Sequence, residues 1–180
     1  MNFRFDILYE YRWMFLTGAL MTLGLTFVAT LGGTLLGLLG ALARIIRFEK
    51  GSAPLRAAAW VVRNLSLLYV TVFRGTPLFV QIFIWYFVWL PALIHPADGW
   101  LVSGTAAVEL RRNYGALIAG VLALTANSGA YITEIFRAGI QSIDKGQMEA
   151  ARSLGMTYTQ AMRFVILPQA VRRMLPPLAN

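Results

Sequence analysis

Thirty-one consecutive residues, Trp13 to Ala43, carry no charged side chain and lie between Arg12 and Arg44. At about 1.5 Å per residue, a helix of this length exceeds the roughly 30 Å hydrocarbon core of a bilayer. The stretch therefore crosses a membrane with tilt or with one end protruding. Composition agrees: 58% of the chain is hydrophobic and 13% charged, about half the charged share of a soluble domain.

Two further runs lack formal charge, Gly75 to Ala97 (23 residues) and Asn113 to Thr133 (21 residues). A fourth apolar stretch starts near Phe164 and carries Arg172 and Arg173. Leu55 to Phe73 is apolar but interrupted by Arg63 and Asn64. It either lies at the interface or begins a long second span kinked at Gly75-Thr76-Pro77, since proline lacks an N–H and crowds the preceding turn. The fold expected is an all-α integral membrane bundle, with about three complete spans and part of a fourth. In the first span, Gly18, Thr22, Thr26 and Thr30 recur every four residues, and Gly33 and Gly37 extend them as GxxxG. Such a face packs helices closely in lipid and is read as packing, not as a site.

Several function classes are excluded. There is no cysteine and a single histidine, His95, so a disulfide framework, a thiolate metal site and a multi-histidine metal centre are all ruled out. One histidine and few membrane carboxylates leave no catalytic set for an intramembrane enzyme. No GxxxxGK[ST] phosphate loop occurs, so any ATP-driven work needs another polypeptide. The N-terminus does not read as a cleaved signal peptide: Asp6 and Glu10 offset Arg4 and Arg12, and the apolar run is too long. The net charge of +8 fits cytosolic loops better than nucleic-acid binding.

Orientation follows from the basic residues. The N-terminal segment has Arg4 and Arg12, and the first loop Arg44, Arg47, Lys50 and Arg56. The second loop has Arg111 and Arg112, and the third Arg137, Lys145, Arg152 and Arg163. This alternation puts the N-terminus outside, the first and third loops in the cytosol, and His95, Pro96 and Trp100 in an external loop with no visible chemistry.

The third loop, Arg137 to Arg163, is too polar to span and too patterned for a flexible linker. Asp144-Lys145-Gly146-Gln147 has capping-box spacing, which predicts a helix from about Lys145 to Leu154. Gly155 supplies a left-handed stop. Thr157-Tyr158-Thr159-Gln160 repeats the spacing and starts a second helix, with Ala161, Phe164 and Val165 on one face, running into Leu167-Pro168 at the membrane. The first helix offers Ala150 and Ala151 to a partner's backbone, and Glu149 and Arg152 can pair with each other or with a partner. A solvated connector without a partner has the same local pattern.

At these residues the chain resembles a known family. Glu149-Ala150-Ala151, Gly155 and Val165-Ile166-Leu167-Pro168 are similar to the EAA signature of ABC importer permeases, with Val165 where that family usually has Ile. Phe73-Arg74-Gly75-Thr76-Pro77-Leu78 with Gln81, the stretch Asn127 to Met156, and Leu175 to Asn180 resemble its polar amino-acid branch, the histidine, glutamine, glutamate and arginine type. The resemblance implies a type I importer permease (MetI-like) helical core. Residues 1–13 would be an external segment and 14–180 the transmembrane domain, with a cytosolic coupling loop at 137–163. It implies that Glu149, Ala150, Ala151 and Gly155 dock on a cytosolic ATPase dimer, which itself binds ATP and Mg. It also implies an external solute-binding protein and a second permease subunit, identical or paralogous. Members of the family continue beyond the equivalent of Asn180, so a C-terminal stretch is expected to be missing here. An ion-coupled transporter, for which no internal repeat is found, and a non-transporting scaffold are the competing readings.

Polar groups within spans mark a pathway or a binding site. The candidates are Arg74, Gln81, Asn127, Tyr131 and Glu134, with Ser128 beside them. Asn127, Tyr131 and Glu134 fall at helical spacing and share one face. That face lines a cavity for an amino acid's ammonium or side chain, or else Asn127 and Ser128 bond neighbouring helices. For Glu134 an ion pair with Arg137 near the cytosolic interface is preferred, and Arg74 reaches towards headgroups. If Glu134 did face substrate it would favour a cationic amino acid; glutamine, glutamate and aspartate stay open.

Overall fold

The computed structural model describes residues 5–45 and 52–179. Expectations resting on Arg4, Arg47, Lys50 and Asn180 lie outside the described residues. Regular structure among the described residues is helical: α1 (Phe5–Glu10), α2 (Arg12–Ile45), α3 (Ala53–Gly75), α4 (Leu78–Ile84), α5 (Leu90–Leu93), α6 (Gly104–Gln141), α7 (Lys145–Ser153), α8 (Tyr158–Ala161) and α9 (Leu167–Ala179). π-helical turns at Trp85–Trp89 and Met162–Ile166 join α4 to α5 and α8 to α9.

Helices α2 (34 residues) and α6 (38 residues) are each long and apolar enough to cross a membrane, and they form the main packing pair. Small residues make the contact possible. Ala29, Gly33, Gly37 and Ala41 are the buried positions of α2. A Cβ at Gly33 would stand 2.8 Å from Cβ of Ser128, and one at Gly37 2.5 Å from Cγ2 of Ile132. Polar side chains tie the same seam. Thr133 donates to the carbonyls of Gly129 (2.8 Å) and Gly37 (3.2 Å), and Ser66 of α3 donates to Gly40 (2.9 Å). The stripe read from sequence is used only in part: Gly18 has no neighbour within 4 Å, and Thr22 bonds back to the carbonyl of Gly18. The packed face begins at Ala29 because α6 meets the second half of α2.

The kink expected at Gly75-Thr76-Pro77 is a full break. Thr76 and Pro77 are extended, and the axes of Ala53–Gly75 and Leu78–Leu93 differ by 111°. Neighbours along α6 show what the pair does. Ser66 bonds α2 at Gly40, which faces Thr133. Tyr69 donates to Ala126 (2.5 Å), and Gln81 meets Asn127. Tyr86 and Leu90 lie against Gly115, and Ile94 clusters with Ala107. The contacts run from the C-terminal half of α6 (Thr133, Ala126, Asn127) to its N-terminal half (Gly115, Ala107), so α3 to α5 lie along α6 as one sharply bent helix pair. Its first turns, with Arg56, Trp60 and Arg63 exposed, stand clear of the bundle.

Beyond α6 the chain turns back, and Ile143, Ile166, Ala170 and Met174 form a small core under the end of α6. The π turn at Met162–Ile166 inserts one extra residue, so the inward face of this segment reads Ala161, Ile166, Ala170, Met174. Phe164 is exposed, contrary to the face expected from a 3.6-residue period.

Candidate functional site

Pro77 creates a local deficit. In an unbroken helix the N–H of residue 77 would bond the carbonyl of Phe73, and proline has none. Two amide side chains fill the gap. Gln81, only 5% exposed, donates through Nε2 to the carbonyls of Phe73 (2.8 Å) and Thr76 (3.1 Å) and to Thr76 Oγ1 (2.8 Å). Asn127 donates to the Phe73 carbonyl (3.3 Å) and to Oε1 of Gln81 (3.1 Å). Backbone polar groups inside a membrane must be satisfied from within the protein, and this knot does so at the break.

The break also ends α3 one residue after Arg74. The Arg74 guanidinium lies over the Tyr131 ring, 5.2 Å from its centroid. Both residues line an open cavity of about 390 Å³ with Glu134, Ser142, Arg173 and Pro177. Glu134 is engaged on both oxygens. It accepts from Arg44 at the end of α2 (2.8 Å) and from Arg137 Nε (3.0 Å), and Arg137 Nη2 holds the other oxygen. Arg137 also donates to Gln141, and Arg173 donates to the Ser142 carbonyl.

Of the five pathway residues read from sequence, Arg74, Tyr131 and Glu134 meet at one cavity, while Gln81 and Asn127 meet at the break. The shared face of Asn127, Tyr131 and Glu134 therefore divides between two neighbours. The pairing of Glu134 with Arg137 is as expected; the second guanidinium, Arg44, was read only as loop charge. With its carboxylate doubly paired, Glu134 is not a free counter-ion for an ammonium. Among the described residues, Arg74 and Arg173 line the cavity without an ion pair.

The projection beyond α6 is built from two caps and a stop. Asp144 accepts from Gly146 N (2.7 Å) and opens α7. It is half a capping box, because Gln147 takes a hydrogen bond from Gln169 instead (3.3 Å). Gly155 adopts φ +86°. Met156 N bonds the carbonyl of Ala151 (3.2 Å) and Gly155 N that of Arg152 (3.0 Å), the two bonds of a Schellman stop. Thr157 and Gln160 form a complete capping box at α8.

Glu149, Ala150 and Gly155 are exposed, but Ala151 is buried and packs inward. Only one of the two alanines is therefore offered to a partner. Glu149 and Arg152 form no ion pair with each other among the described residues. Sequence reasoning missed Leu154, which is 82% exposed at the tip beside Gly155. An apolar residue falling outside the inward pattern, next to a glycine stop, was the available signal.

Closely packed apolar helices, a helix pair broken at proline with its carbonyls re-satisfied by amides, and an open cavity beside them define a polytopic α-helical membrane protein. Residues 51–180 match the family described as binding-protein-dependent transport system inner membrane component, and the chain belongs to that family. The probable glutamine ABC transporter permease protein GlnM of Bacillus subtilis is 39% identical over 175 residues, 97% of this chain and 68% of that protein. The glutamine transport system permease protein GlnP of Escherichia coli is 36% identical over 167 residues, 93% of this chain and 64% of that protein. The arginine transport system permease protein ArgU of Corynebacterium glutamicum is 35% identical over 165 residues, 91% of this chain and 47% of that protein. A crystal structure of an amino acid ABC transporter with histidines superposes with a TM-score of 0.71 at 39% identity, covering 100% of this chain and 71% of that one. The chain thus spans between about half and two thirds of the length of these three relatives.

Proposed function

We propose that this chain is the membrane-spanning permease part of a binding-protein-dependent importer that moves a polar amino acid across the cytoplasmic membrane. The carrying observation is the capped α7 projection, which holds Glu149, Ala150 and Leu154 out from the end of α6 on a rigid, glycine-terminated helix. Such an element suits docking on a separate ATPase dimer that binds ATP and Mg, and the family supports that role. The chain itself is not the enzyme. The basic loops support an external N-terminus and a cytosolic α7. A second permease subunit, identical or paralogous, and an external solute-binding protein complete the assembly.

The cavity supports a polar amino acid as cargo. Arg74, held over Tyr131, offers a guanidinium to a carboxylate, and the relatives that carry glutamine and arginine names support the class. Glu134 serves as the pivot of an ion-pair network, not as the cargo's counter-ion.

The test uses the full natural gene product, tagged in its own membrane. Co-purification of an ABC ATPase, lost on Glu149→Lys with Gly155→Pro, is expected. In vesicles, uptake of glutamine or arginine should follow ATP and persist when ion gradients are collapsed. Uptake that collapses with the gradient, or no ATPase with the unaltered chain, would sink the proposal.

A further inference from the structure

Arg111 and Arg112 stand at the edge of the apolar part of α6. The charge-free run from Asn113 to Thr133 begins at the next residue and measures about 32 Å as helix, a full hydrocarbon core. With α6 crossing the bilayer, the two guanidinium groups lie at the depth of lipid phosphates, where long basic side chains place their charge. Tyr86 and Trp89, both exposed on the turn that meets α6 at Gly115, mark the same level, since such aromatic residues gather at the interface.

Both arginines line a cleft of about 300 Å³ with Tyr86, Leu90, Pro96 and Val108. Gly115 lets its two sides approach: a Cβ there would lie 3.4 Å from Cδ2 of Leu90 and 4.0 Å from Cε2 of Tyr86. Leu90 and Val108 give the cleft apolar walls. Its polar groups are unused. Among the described residues neither arginine has an ion pair or hydrogen bond, and the Tyr86 hydroxyl has no hydrogen-bond partner. No carboxylate lines the cleft. Glu109, the nearest acid in sequence, lies outside it, and Asp98 is paired with His95. The cleft thus holds two positive charges and no anion at the depth where the bilayer carries its phosphates.

We propose that this cleft binds the phosphodiester of an anionic glycerophospholipid, a headgroup such as phosphatidylglycerol that carries no ammonium. Arg111 and Arg112 pair with the phosphate oxygens, because a guanidinium matches phosphate geometry. The Tyr86 hydroxyl donates to a further oxygen, and the glycerol and first acyl carbons lie along Leu90 and Val108. Basic pockets between membrane helices suit such headgroups. An ammonium headgroup adds positive charge where two guanidinium groups stand without a carboxylate, so zwitterionic lipids bind less well. Inorganic phosphate offers the same oxygens but nothing to cover the apolar walls. The inference rests on α6 crossing the bilayer, not on the cargo or the ATPase.

The test uses the full natural chain, purified in detergent, stripped of lipid and offered equal phosphatidylglycerol and phosphatidylcholine. Native mass spectrometry reads what stays bound. The unaltered chain is expected to retain phosphatidylglycerol in clear preference. Arg111→Gln with Arg112→Gln should weaken that retention by about tenfold or more, given the contribution of each basic residue near an anionic surface. Arg63→Gln, at an exposed arginine outside the cleft, should leave it unchanged. Unfolding midpoints show which variants are folded. If the glutamine pair unfolds, Tyr86→Phe decides instead: it removes one oxygen from the cleft and should weaken retention by about fivefold. Equal retention of the two lipids overturns the proposal, as does equal retention by the unaltered chain and the folded cleft variant. Millimolar inorganic phosphate should not displace the lipid; phosphate bound in the cleft by a chain that retains no phosphatidylglycerol would identify a free-anion site and overturn the lipid assignment.

Discussion

Arg44, at the C-terminal end of α2, reaches Glu134 of α6 at 2.8 Å, with the two side chains 15% and 22% exposed. The pair pins the ends of two long helices just above the α7 projection. Arg44→Ala leaves Glu134 with Arg137 alone and should lower stability by about 1–2 kcal/mol, in the range for losing a partly buried charged partner. Arg44 uses one nitrogen in this contact, so Arg44→Lys should restore most of the loss. Thermal unfolding in detergent distinguishes the three proteins; equal midpoints for alanine, lysine and wild type would show that the pair does not hold the helices.

The amide knot at the break makes a different prediction. Asn127→Ala or Gln81→Leu strips donors from the Phe73 carbonyl, and an unsatisfied buried acceptor costs about 1–3 kcal/mol. Pro77→Ala supplies the missing backbone N–H but invites α3 and α4 to straighten. In the Pro77→Ala background, Asn127→Ala should then cost clearly less than in wild type. A double-mutant cycle on unfolding midpoints reads the difference. Additive effects would mean that the amides do not answer to the proline.

Much of this architecture was legible beforehand, for physical reasons that differ by element. Charge-free runs are sensitive to bilayer thickness, so α2 and α6 could be read directly. Gly155 and Thr157-Gln160 were legible because stops and caps are local chemistry. What escaped was relational. Nothing near Arg44 in sequence indicates Glu134, ninety residues away. The Phe164 face was misplaced because a π turn shifts the register without changing composition. Asn127 and Tyr131 share a helical face, yet α3 and α4 meet it at different points, which periodicity cannot resolve.

Glycine positions on α2 should separate cleanly. A Cβ at Gly37 would collide with Ile132, while Gly18 has open space around it. Gly37→Ala should destabilise by about 1–3 kcal/mol through overpacking. Gly18→Ala, in the same helix and of the same chemistry, should be neutral or slightly stabilising, because alanine is the better helix former. Similar losses at both sites in a thermal-shift series would mean that Gly18 also packs against something in the assembly.

The tip of α7 allows stability and docking to be tested apart. Gly155 sits at φ +86°, where an L side chain is strained, so Gly155→Ala should cost about 1 kcal/mol and loosen the stop that sets the angle between α7 and α8. Leu154 is 82% exposed and belongs to neither buried cluster among the described residues. Leu154→Asp should therefore leave the unfolding midpoint unchanged. If Leu154 enters a groove on the ATPase, a charge there must be desolvated, and binding should fall by about tenfold or more. Titrating purified ATPase against the full natural chain in nanodiscs measures this directly. Unchanged affinity with Leu154→Asp, alongside a loss with Glu149→Lys, would confine the docking surface to the Glu149 side of the helix and leave Leu154 outside it.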